Sequence, residues 1–144
     1  MRNWFLGKVK YEKIVESGKQ KKVTEEYLVD AWSYTEAEAR FIEYIKPFIS
    51  GEYSIDLRKY KCSEIFFNEN GDRYYKVKTA FITLDERTGA EKSTNTMMLV
   101  QASSIEEAKK VHEEGMKGTL ADFVVRDIVE TKIMDVVLYN PEEN

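Results

Sequence analysis

The chain has 144 residues, a formal net charge of −4, and is 42% hydrophobic and 33% charged, which argues against a low-complexity or disordered protein. No apolar run approaches the roughly 20 residues that a membrane-spanning helix needs, and Met1–Lys8 lacks the apolar stretch of a signal peptide. The single cysteine, Cys62, excludes an internal disulfide and suits a reducing compartment, so a cytoplasmic location is expected by elimination.

Taken in chain order, Trp4–Val15 and Val23–Ala31 read as strands flanking the polar turn Glu16-Ser17-Gly18-Lys19-Gln20, a hairpin composition with a glycine available for positive φ. Ser33-Tyr34-Thr35-Glu36 reads as a capping box. The serine oxygen would accept from the N3 amide, and the glutamate would reach back to the serine amide. The helix it opens runs to about Lys46 and carries Ala37, Phe41, Tyr44 and Phe48 on one face; Pro47 should end it. A long extended segment follows, Tyr53–Phe67. Its apolar end, Ile65-Phe66-Phe67, suits a strand covered on both faces near the middle of a sheet. Asn68-Glu69-Asn70-Gly71-Asp72 is then a turn.

The second half repeats this grammar. Strands are expected over Tyr74–Leu84 and Thr94–Ala102, around Asp85-Glu86-Arg87-Thr88-Gly89. A second capping box, Ser104-Ile105-Glu106-Glu107, opens a helix with Ile105, Ala108 and Val111 on its apolar face and Gly115 and Gly118 at its exit. Phe123–Tyr139 is the matching extended segment, ending in Val136-Val137-Leu138-Tyr139. With a gap-free shift of 71 residues, Gly18 meets Gly89, Leu28-Val29 meets Leu99-Val100, and Ser33 and Glu36 meet Ser104 and Glu107. The first strand of each half also changes apolar phase midway. Trp4 and Leu6 give way to Val9 and Tyr11, and Tyr75 and Val77 to Ala80 and Ile82, which predicts bulges near Gly7 and near Lys78.

These patterns predict an α+β protein built by tandem duplication of a strand–strand–helix–strand unit, with a mainly antiparallel sheet and two helices packed on it. Two independent domains of this size would each be marginal. One domain over residues 1–144 is therefore expected, made of fused repeats (about 1–71 and 72–140) that share a core about a pseudo-twofold axis. Residues 140–144 are expected to fray.

Catalytic constellations are scarce. One histidine and one cysteine supply neither a His-pair nor a cysteine-based metal site, and no phosphate-binding glycine loop or nucleophile elbow is present, so no catalytic residue, metal or cofactor is assigned. His112 occupies the helix position equivalent to Phe41, where a packed histidine is the plainer reading. Cys62 lies among apolar positions, as buried cysteines do. Asp56 and Asp127 are copy-related acids that could meet across a twofold axis or stand exposed. The strongest interaction signal is cations interleaved with aromatics: Lys8, Lys10, Tyr11 and Lys13, with Lys19, Lys21 and Lys22 around the first hairpin; Arg58, Lys59, Tyr60 and Lys61; and Arg73, Tyr74, Tyr75, Lys76 and Lys78. Nucleic-acid readers use this mixture, though lysines also guard exposed strand edges. Lys8, Lys10, Arg58, Lys61, Arg73, Lys76 and Lys78 are the candidate binding residues.

The run Lys22-Val23-Thr24-Glu25-Glu26-Tyr27-Leu28-Val29-Asp30-Ala31, with Ser33-Tyr34-Thr35-Glu36-Ala37-Glu38-Ala39-Arg40, resembles an uncharacterised family, domain of unknown function 4494. So do Ile49-Ser50-Gly51-Glu52-Tyr53 and Glu64-Ile65-Phe66. The resemblance covers nearly the whole chain and implies a stand-alone cytoplasmic protein of Bacteroides-type bacteria or their phages. It implies no activity, ligand or catalytic residue. The residues themselves favour a non-enzymatic binding or regulatory module, with a small ligand, peptide or protein partner at the seam between repeats and a homodimer as one possible assembly. A nucleic-acid-binding accessory protein is the first alternative, and a small enzyme the last.

Overall fold

The computed structural model describes residues 3–139, so residues 140–144, where fraying is expected, lie outside it. The described chain forms two units, one of residues 3–60 and 132–139, the other of residues 61–131. The class is α+β and mainly antiparallel, with one helix and one four-stranded sheet in each unit.

In the first unit, β1 (Asn3–Ile14) and β2 (Gln20–Ala31) form a hairpin paired from Asn3↔Ala31 to Ile14↔Gln20. The helix α1 (Tyr34–Ile45) follows, capped as expected by the Ser33 hydroxyl, which accepts from the Glu36 amide at 3.2 Å. The Glu36 carboxylate departs from a simple capping box: it accepts from the Trp32 amide, one residue before the cap. Pro47 lies just past the helix end. β3 (Tyr53–Tyr60) then pairs with the free side of β1, and β8 (Ile133–Val137) adds in parallel to β2, giving the order β3-β1-β2-β8.

Alternate residues of β1 face α1. Phe5, Val9, Val29, Ala31 and Leu57 pack with Ala37, Phe41 and Ile45 of the helix in a single buried cluster. Gly7 sits in the middle of that face because the Phe41 ring takes the place of its side chain. A Cβ there would lie 2.7 Å from the ring. Arg40 ties the helix outward by donating to the Asp30 carbonyl at 2.7 Å and lying 4.3 Å over the Tyr139 ring.

The second unit repeats the order. β5 (Arg73–Leu84) and β6 (Glu91–Ala102) form the hairpin, α2 (Ile105–Gly115) packs on it, β7 (Asp122–Glu130) pairs with β5, and β4 (Glu64–Phe66) adds in parallel to β6. Ser104 accepts from the Glu107 amide at 3.1 Å, and the Glu107 carboxylate again reaches past the cap, to the Ser103 amide at 3.0 Å. The helix is seated by Ala108 and His112, while Ile105, expected on the inner face, is exposed. Gly115 is the last helical residue, and its bare Cα lets Phe66 approach: a Cβ would lie 2.5 Å from that ring.

Three expectations are corrected. The apolar ends of the long segments are not central strands, since β4 and β8 are the edge strands of their sheets. They are apolar because the helix side of the edge is still covered: Phe66 packs on the second cluster and Val137 on the first. The segment Tyr53–Phe67 is not one element either. It breaks after Tyr60, leaving β3 in one unit and placing β4 in the other.

No bulge lies near Gly7, where β1 keeps continuous register with both neighbours. Its inner row is Phe5, Gly7, Val9 and Tyr11, an unbroken period of two in which glycine hides one apolar position. Near Lys78 an irregularity does occur, on the partner strand: Lys78 faces Asp127 and Thr79 faces Val125, so Arg126 is the extra residue.

Gly7→Ala is expected to lower stability by about 1–3 kcal/mol through overpacking against Phe41. In a Phe41→Leu background, where the ring is gone, the same substitution should lose most of that effect. Urea unfolding of the four proteins measures both, and equal losses in the two backgrounds would refute the ring-in-slot packing.

Candidate binding trough of the first unit

The rows of residues facing α1 grade from core to solvent along the hairpin. Leu57, Gly7 and Tyr27 form one row, Ile55, Val9 and Glu25 the next, then Tyr53, Tyr11 and Val23, and last Lys13 opposite Lys21. The helix covers the first row and Val9 of the second, with Ile55 packed at the margin of its cluster. Beyond its end the sheet lies open, and a trough of about 1160 Å³ is lined there by Tyr11, Val23, Tyr53 and Lys13 of this face and Phe48 and Gly51 of the loop after α1. It extends past the strand edges to Lys10, Glu12 and Lys22 of the opposite face.

The trough is built from aromatic surface that remains accessible. Tyr53 is 38% exposed and Phe48 49%. Phe48 is held upright by Tyr44 (ring centroids 5.4 Å apart) and Tyr27 (6.4 Å), so the wall is braced before any ligand arrives. Hydrogen bonds fix the inner end. The Tyr27 hydroxyl donates to Glu25 Oε1 at 3.3 Å, and the Tyr44 hydroxyl to Asp135 Oδ2 at 3.1 Å. Burial, then the nearby carboxylate, pushes the Tyr44 phenol up to about 12, and burial together with Glu25 raises Tyr11 and Tyr27 as well. All three phenols thus remain neutral donors at physiological pH.

The seven candidate cations do not gather in one place. Lys8, Lys10 and Arg58 belong to the first unit and stand on the sheet face turned away from α1. Lys8 is flanked there by Glu26 and Asp56, so the row is charge-compensated. Lys61, Arg73, Lys76 and Lys78 belong to the second unit. Lys61 lies between strands, Lys76 and Lys78 face away from α2, and Lys78 is opposite Asp127. Arg73 lies within 3.5 Å of Glu130 and 3.6 Å of Asp72. Of the seven, Lys10 lines the trough. The trough residues Tyr53 and Phe48 carry no motif, and only the hairpin register brings Lys13 opposite Lys21, next to the trough.

The remaining suspects have structural surroundings. Asp56 and Asp127 are both exposed, each across from a lysine. The Cys62 thiol donates to the Glu64 carbonyl at 3.2 Å, and burial pushes it up, away from the reactive thiolate. His112 is fully buried, 3.0 Å from the Thr79 hydroxyl through Nε2, between the Phe66 and Phe123 rings. Its Nδ1 has no partner. Among the described residues, no group of three or more His, Cys, Asp or Glu is placed to hold a metal ion, and no helix is long and apolar enough to cross a membrane.

The fold and this cavity define a two-unit α+β protein with an open, aromatic-floored trough on one unit. The chain belongs to the family described as domain of unknown function (DUF4494), whose model matches residues 3–139. No curated protein and no solved structure matches it significantly.

Burial lowers the His112 pKa, with Glu113 opposing weakly. The folded state therefore binds fewer protons than the unfolded chain below about pH 6.5, so stability falls as pH drops through that value, by at most about 1.4 kcal/mol per pH unit. His112→Phe, which copies Phe41, should remove this increment. Parallel unfolding curves for the two proteins between pH 7.5 and 5 would refute the burial of a neutral imidazole.

Proposed function

We propose that this is a non-enzymatic binding module and that the trough of the first unit is its binding surface. The observation that carries this reading is the pairing of exposed rings, Tyr53 and Phe48, with a braced surround. Exposed aromatic area on a rigid, concave face is what recognition sites use, because little entropy is lost when a ligand covers it. The surroundings of the reactive side chains support binding over catalysis: His112 is sealed in the core and the Cys62 thiol is pushed up. As the family resemblance implies, we place the protein in the cytoplasm of a Bacteroides-type bacterium or of a host infected by its phage. Fractionation of producing cells tests that placement, and recovery in the envelope fraction would contradict it.

Ring-labelled tyrosine NMR reports directly on the trough. When the protein is titrated with nucleotides, oligonucleotides, short peptides and metabolites, at least one class is expected to shift Tyr11 and Tyr53 while Tyr74 and Tyr75, buried in the other unit, stay fixed. Tyr53→Ala should weaken that ligand about tenfold. If every class leaves both rings unmoved, the trough is not a binding surface.

A further inference from the structure

The two hairpins share a fold but differ in charge. Between Lys10 and Lys22 the first carries five lysines against two glutamates, whereas between Ala80 and Lys92 the second carries three acids against two bases. Lysines that only protected strand edges would be needed equally on both. The difference is sharpest in the row next to the aromatic floor. There Lys13 stands directly opposite Lys21, a like-charge pair that disfavours the hairpin; the corresponding pair in the second unit is Thr83 and Lys92. Glu12 faces Lys22 on the other side of the ribbon, so it leaves the Lys13–Lys21 pair uncompensated by a cross-strand acid. Glu52 stands on the rim, and Glu25, one row nearer the core than the floor, accepts the Tyr27 hydroxyl.

Resting on the trough as a binding surface, we propose that its ligand is single-stranded nucleic acid, with Tyr53 and Tyr11 stacking unpaired bases and Lys13 and Lys21 holding the phosphates. β3 ends opposite Tyr11, so the hairpin continues past the floor as a two-stranded ribbon with both faces open. A strand running from Phe48 along the floor onto that ribbon would pass from rings to ammonium groups within one or two nucleotides. Accessible ring faces at the foot of a cationic ribbon suit unpaired bases, because the faces of paired bases are already stacked within the duplex. The candidates Lys8 and Arg58, on the compensated far side of the sheet, take no part.

Fluorescence anisotropy with a labelled twelve-residue oligothymidine and with a twelve-base-pair duplex tests the assignment. The single strand should bind at 50 mM salt and weaken as salt rises, with a log–log slope near −0.7 for each phosphate contacted. K13E/K21E should weaken it at least tenfold and flatten the slope by about 1.4, and Y53A should weaken it about tenfold. An R87E variant on the second hairpin should leave binding unchanged. K13Q/K21Q serves if the reversal disturbs folding, which far-UV circular dichroism reports. No binding at 50 mM salt, or full affinity in the lysine variants, overturns the proposal. Equal binding of the duplex with no effect of Y53A overturns the single-strand assignment. If no oligonucleotide moves the Tyr11 and Tyr53 signals but another ligand class does, the nucleic-acid assignment fails and the trough stands.

Discussion

A twelve-residue helix is about 18 Å long and a twelve-residue strand about 40 Å, and that mismatch governs both units. A helix set against one end of such a hairpin seals the rows near the strand ends Asn3–Ala31 and Arg73–Ala102. It leaves the rows near the turn bare. The sealed rows carry the core, where Phe41 and His112 occupy the same helical position. The bare rows are free of packing demands, so their residues can differ without loss of the fold. Every surface feature of interest in the first unit lies on the bare half.

The sealed halves show how strictly the covered rows are constrained. Phe41 fits because Gly7 beneath it has no side chain, and Tyr27 stacks on its flank. In the second unit the helix presents His112 and the strand presents Thr79, whose hydroxyl lies 3.0 Å from Nε2 and 3.6 Å from the Met98 sulfur. One solution fills space with a ring over a glycine, and the other substitutes a hydrogen bond for part of the apolar contact. The second leaves Nδ1 buried without a partner, so it carries a desolvation penalty that the first avoids.

Much of the fold is legible in the sequence because its punctuation is local. Ser33 and Ser104, Pro47, and the glycines at the hairpin turns act within a few residues, and the helices start and stop where these residues require. What misleads is register. The helices and second strands are related by a shift of 71, but β1 and β5 are related by 70: Asn3 faces Ala31 as Arg73 faces Ala102. The second hairpin loop is one residue longer, closing through Asp85 and Ala90 where the first closes through Val15 and Lys19. A gap-free comparison therefore matches inward residues of one strand with outward residues of the other, while the apparent phase change within β1 comes from Gly7 standing in its inner row. The trough is illegible for a related reason. Tyr53, Tyr11 and Val23 are separated by up to 42 residues in the chain and share a row only through cross-strand pairing.

Pairing also bears on origin. Leu28 faces Val136 in parallel, and at a shift of 71 Leu99 faces Ile65 in the same sense. Each sheet thus takes its parallel edge strand from the opposite half of the sequence, in matching register. That correspondence is the one a tandem duplication with exchanged last strands would leave. The bare halves of the hairpins are not matched in this way. Only the first sets a like-charge lysine pair beside the exposed Tyr53 and the half-buried Tyr11, an arrangement that folding alone disfavours. That pair opposes folding, and the second hairpin, with Thr83 opposite Lys92, has no counterpart to it.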